Sequence, residues 1–93
     1  FAHFAVAKAG LRHLAQALAR EYGPRGIHVA HVVVDGVVNG DIVRNRLGDY
    51  LESLGDEGAL EPDAIADAFW ALHTQHPSAW TQELDLRPYK ESW

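Results

Sequence analysis

Lys8 is the residue whose position most invites a chemical reading. It stands one helical turn after Phe4 and just before Leu11, on the apolar side of a segment in which Phe4, Leu11, Leu14, Ala15, Leu18 and Tyr22 recur at helical spacing. Solvated lysines avoid such a face. One reading is a lysine snorkelling from the rim of the stripe. The other is a cation aimed at a ligand beyond the end of a sheet, and the geometry of the surrounding elements favours it. A helix that feeds a strand runs antiparallel to it. The first turns of this helix are therefore expected at the carboxyl end of the strand, beside Asp35 to Gly40, where open α/β sheets bind their ligands.

Other residue groups carry less. Six histidines raise the question of a metal. His28 and His31 are three apart in a strand and face opposite sides, while His73 and His76 straddle a helix end, so structural roles suit them and no metal is expected. Glu61, Asp63 and Asp67 make an acidic helix start that matches the helix dipole. Arg44 and Arg46 sit in a loop, where they either meet a phosphate or an acidic substrate or are simply solvated. No G-x-G-x-x-G or P-loop spacing occurs.

The elements that hold Lys8 follow from the patterning. An alanine-rich helix is expected from His3 to Tyr22, stopped by Gly23, Pro24 and Gly26. Residues 27–34 are β-branched and apolar on both faces, the signature of a central parallel strand covered by helices. A long functional loop follows, with short helical patches at Ile42 to Leu47 and Tyr50 to Leu54. Pro62 then opens a helix within Leu60 to Gln75, carrying Ile65, Ala68, Phe69 and Leu72 on one face. Trp80, Leu84 and Leu86 alternate with Thr81, Glu83 and Asp85, the period of an edge strand with one wet face.

Composition bounds the rest. The chain has 93 residues, 47% hydrophobic and 23% charged, as an ordinary folded domain does. A net charge of -5 without a basic stripe argues against nucleic acid. No apolar run approaches the ~20 residues that span a bilayer, so no membrane partner is expected. No cysteine is present, which suits a cytoplasmic protein. Two parallel strands do not make a stable sheet, and the chain opens on Phe1 rather than on a methionine. The expectation is a chain that forms part of something longer.

The segment Phe4-Ala5-Val6-Ala7-Lys8-Ala9-Gly10-Leu11 resembles the Tyr-x-x-x-Lys segment of the short-chain dehydrogenases/reductases, and Gly23-Pro24-Arg25-Gly26-Ile27-His28-Val29 resembles the run that follows it. Asp35-Gly36-Val37-Val38 is similar to the family's Pro-Gly turn after the sixth strand. Leu60 to Ala66 resembles the start of its last large helix, and Ser78 to Leu86 resembles the closing strand of a bacterial branch of oxidoreductases. The resemblance implies an α/β fold, with residues 1–93 forming the carboxyl-terminal portion of a single Rossmann-type domain, a doubly wound parallel sheet whose dinucleotide-binding amino-terminal part is absent from this chain.

It further implies NAD or NADP as cofactor and a small carbonyl or alcohol substrate. Lys8 matches the family lysine, which bonds the nicotinamide ribose and lowers the pKa of the tyrosine one turn before it. Phe4 occupies that tyrosine's position and has no proton to give. His3 points about 100° round the helix and is a poor substitute, and among the tyrosines only Tyr50 could fold over the site, its other and favoured reading being a loop aromatic that packs on the core. Asp35, Gly36 and Val38 fall where the family's turn approaches the carboxamide, with Asp35 in place of the frequent proline and Gly40 in place of the frequent threonine. The reading is an oxidoreductase whose isolated carboxyl-terminal chain is inactive. The alternative, favoured by Phe4, is a non-catalytic relative that binds a dinucleotide or serves in assembly. Homodimers or homotetramers are implied in either case.

Overall fold

A computed structural model describes residues 1–93. Helix α1 spans Ala2–Tyr22, and a 3-10 turn over Gly23–Arg25 ends it. Gly26 carries the chain out of the turn at φ 84°, a left-handed conformation natural to glycine, and its N–H donates to the Gly23 carbonyl at 2.9 Å. Strand β1 follows at His31–Val34, then the short helices α2 (Asp41–Arg46) and α3 (Gly48–Ser53), helix α4 (Pro62–His73) and strand β2 (Glu83–Leu86). The two strands pair into one sheet. His31 N–H donates to Gln82 O and Asp35 N–H to Leu86 O, each at 2.8 Å; both strands advance together between these rungs, so the pairing is parallel. The α/β class and the parallel sheet agree with the carboxyl-terminal part of a Rossmann-type fold.

Both strands are shorter than their patterning suggests. The expected strand over residues 27–34 pairs only from His31, because the ladder begins where the Gln82 carbonyl is reached. Residues 27–30 are held by other means. Ile27 N–H returns to the Tyr22 carbonyl at 3.2 Å, and His28 Nε2 donates to the Thr81 carbonyl at 2.8 Å. β1 also has a single strand neighbour here, so the expected central strand is paired on one edge only.

The chain divides into two compact units, residues 1–32 with 75–84 and residues 33–74 with 85–93. In the first, the His28 imidazole stacks on the Trp80 indole, centroids 4.6 Å apart and planes 3° from parallel. Gln75 fixes Thr81 at two points: its Oε1 accepts from the Thr81 N–H and its Nε2 donates to Thr81 Oγ1, both at 2.8 Å. Along α1 burial begins late. Residues 1–14 are all exposed, including Phe4, Leu11 and Leu14 of the expected stripe, while Ala15, Leu18, Ala19 and Tyr22 are half-buried.

In the second unit, Val38 and Leu60 form a parallel bridge that closes the excursion through α2 and α3. Leu60 N–H donates to Val37 O at 2.7 Å and Asn39 N–H to Leu60 O at 2.8 Å. Pro62 sits in the first turn of α4 with Asp63 beside it, as the sequence indicates. At the other end the Trp70 carbonyl accepts from both the Thr74 N–H at 3.1 Å and the Thr74 hydroxyl at 3.0 Å. Leu72 on α4 is the one buried large hydrophobic residue, whereas Phe69 and Trp70 of the same helix are exposed.

Candidate functional site

Phe4 and Lys8 share one face of α1, because residues four apart in a helix stand above one another. The Lys8 ammonium rests over the Phe4 ring, 5.5 Å from its centroid. Both side chains are exposed, so the cation keeps its contact with solvent. Arg12 continues the row one turn further. Its Nε donates to Glu83 Oε1 at 2.6 Å and its Nη2 to Glu83 Oε2 at 2.7 Å, a two-point fork between α1 and β2. Hydrogen bonding to this guanidinium holds the Glu83 carboxyl below its ordinary pKa, with smaller contributions from the charges of Arg12 and His31.

Asp35, Gly36 and Val38 lie together in the second unit, in the turn that leaves β1. Asp35 Oδ2 pairs with Arg87 Nη1 at 3.1 Å. That guanidinium is held in turn by the Trp93 ring, 3.7 Å from its centroid, and by the Ser92 carbonyl at 2.8 Å. Gly36 has φ 156° and packs so closely on Pro88 that a Cβ here would lie 2.7 Å from the proline Cδ. Only glycine meets both conditions.

Val38 is flanked by the two rungs of its bridge to Leu60, so its own N–H and C=O face away from that partner. Its carbonyl accepts from the Gly40 N–H at 2.8 Å, closing a tight turn. Asn39 donates from Nδ2 to Glu61 Oε1 at 2.9 Å, and this contact fixes the orientation of the amide. Its Oδ1 is buried without a hydrogen-bond partner.

The remaining candidates have local roles. Arg44 Nη2 pairs with Asp41 Oδ1 at 2.6 Å within α2. His76 Nδ1 accepts from the Ser78 N–H at 3.1 Å and caps a short turn. His73 lies against Trp70, with ring centroids 5.4 Å apart. No group of three histidine, aspartate or glutamate side chains comes together as a metal site would require. Tyr50 is exposed on α3 and Tyr89 is exposed near the end of the chain. No helix is long and apolar enough to cross a membrane.

Comparison with solved structures adds the decisive observation. A short-chain dehydrogenase from Rhodopseudomonas palustris matches 96% of this chain at 40% sequence identity with a TM-score of 0.64. The chain belongs to the short-chain dehydrogenase/reductase family. It spans 31% of the length of that relative. No protein-family profile matches the chain, and no curated protein matches it. At this identity the likeness extends beyond the fold to the sequence that builds it. In this short-chain dehydrogenase/reductase chain, Phe4 and Lys8 share one face of α1, and Asp35 to Val38 form the turn that leaves β1.

Among the contacts that escaped sequence reasoning are three near the candidate residues: Arg12 with Glu83, Asp35 with Arg87, and Asn39 with Glu61. The first had a partial signal, since Arg12 falls on the Lys8 face at helical spacing. The other two join residues that have no periodic relation.

Proposed function

We propose that this chain is the carboxyl-terminal portion of a single Rossmann-type domain of an NAD- or NADP-dependent oxidoreductase acting on a small carbonyl or alcohol substrate. The observation that carries the reading is Lys8: an exposed ammonium, steadied over the aromatic ring one turn before it, at the spacing the family uses beside its cofactor. The residues present suit a dinucleotide. Lys8 Nζ offers donors to ribose hydroxyls, and the unpartnered Asn39 Oδ1 next to Val38 is an acceptor suited to a nitrogen donor such as a carboxamide. When bound, the nicotinamide supplies the hydride.

This chain's own residues divide the remaining work. Lys8 orients the ribose through charge-assisted hydrogen bonds. Val38 presents main-chain groups to the carboxamide. Asp35 and Gly36 act through the shape of the turn, since the carboxylate of one is engaged by Arg87 and the other packs on Pro88. Phe4 moves no proton. General acid catalysis is worth roughly 10² to 10⁴-fold, so a site served by Phe4 alone is a slow one.

Phe4 also supports a second reading, a relative that binds the dinucleotide for regulation or assembly. Under either reading the 93-residue chain is inactive alone, the complete protein works in the cytoplasm, and it assembles as a homodimer or homotetramer. The test is titration calorimetry of NAD and NADP with the complete protein and its Lys8→Ala variant. Loss of a charged donor is worth about 1.5 to 3 kcal/mol, which weakens binding by roughly 10- to 150-fold. An unchanged dissociation constant removes Lys8 from the site.

A further inference from the structure

We propose that the Arg12–Glu83 fork is a positioning clamp for Lys8, with Arg12 a positioning residue that never touches the cofactor; the proposal rests on the reading of Lys8 as a dinucleotide ligand. Arg12 is one turn beyond Lys8 on the same face of α1. Its partner lies 71 residues away, on β2. A planar guanidinium bonded at 2.6 and 2.7 Å to both oxygens of one carboxylate restrains rotation as well as distance, which a lysine ammonium does not do.

The fork ties α1 to β2 one turn after Lys8, so a swing or slide of the helix against the strand, which would carry Lys8 with it, is opposed at that point. It also answers an electrostatic problem. Two cations four residues apart repel, and the Glu83 carboxylate neutralises Arg12 while leaving the Lys8 ammonium charged. Most exposed ion pairs contribute little to stability. This one is distinguished by what it aims.

The test uses the complete protein and calorimetric titration of NAD and NADP, with thermal unfolding alongside. Arg12→Gln and Glu83→Gln are each expected to raise the dinucleotide dissociation constant about tenfold, as displaced binding groups do. Arg12→Lys, which keeps the charge and loses the fork, should fall between wild type and Arg12→Gln, and it carries the same comparison if the glutamine variant does not fold. In a Lys8→Ala background, Arg12→Gln should add nothing, because its effect passes through Lys8. A lower Tm with unchanged affinity in Arg12→Gln, while Lys8→Ala alone weakens binding, overturns the clamp and leaves the Lys8 reading intact. Effects of Arg12→Gln and Lys8→Ala that multiply overturn it too, by showing a separate contact. Unchanged affinity in Lys8→Ala removes both.

Discussion

The ammonium of Lys8 lies 5.5 Å from the centroid of the Phe4 ring, one turn away on α1. Where a phenol would exchange a proton with a bound substrate and feel the cation as a pKa-lowering charge, the phenyl ring offers only its negative face. At an exposed site that contact is worth about 0.5 to 1 kcal/mol, enough to bias the lysine's rotamer and nothing more. Phe4→Tyr in the complete protein should therefore restore a proton donor at a position already equipped with its cation. Turnover of a carbonyl or alcohol substrate is expected to rise by roughly 10² to 10⁴-fold. Steady-state rates with NADH or NADPH and a panel of small carbonyls provide the check. Ordinary wild-type rates that the substitution leaves unchanged would mean that another group, with Tyr50 the first to examine, supplies the proton.

Gly36 offers a test of the turn. Alanine there must accept φ 156° and place a Cβ 2.7 Å from the Pro88 ring, so backbone and packing both resist it. Pro88 is itself buried, which limits how far the ring can give way. The expected cost is about 1 to 3 kcal/mol, read as a lowered urea midpoint. Equal stability of Gly36→Ala and wild type would show that the turn relaxes without penalty.

The Arg12–Glu83 fork has a pH signature. Because the folded protein lowers the Glu83 pKa, the folded state binds fewer protons at this group than the unfolded chain does. Its contribution is therefore complete above the unfolded value, near ~4.3, and disappears as pH falls through the lower folded value. Unfolding curves of wild type and Glu83→Gln should stand apart above the unfolded value, in favour of wild type, and converge as pH falls through the lower folded value. A gap between the two that does not vary with pH would refute the linkage. High salt should narrow the gap, since the pair is exposed.

Assembly is the remaining expectation. Phe69 and Trp70 on α4 are 51% and 66% exposed, and Phe4, Leu11 and Leu14 on α1 are exposed as well. The chain spans 31% of its relative's length, so the rest of a longer subunit, a second copy, or both would cover apolar area of this extent. Light scattering on the complete protein at micromolar concentration is expected to give a dimer or tetramer mass. A monomer would return these residues to an intramolecular core.

What the sequence determined is what depends on near neighbours along the chain. The limits of α1, the stop at Gly23 to Gly26 and the Pro62 start of α4 are all legible, since capping, proline geometry and helical spacing act within a turn or two. The pairing of Phe4 with Lys8 belongs to the same class, because the helix itself sets it. Tertiary structure alone decided which ends of the strands pair, why residues 27–30 stay outside the ladder, and that Arg12 reaches Glu83, Gly36 meets Pro88 and Asp35 meets Arg87. Each of these depends on the register of two strands separated by the whole α2–α4 excursion. A shift of one residue in that register reverses every side chain on the strand, and no local spacing in the sequence records it.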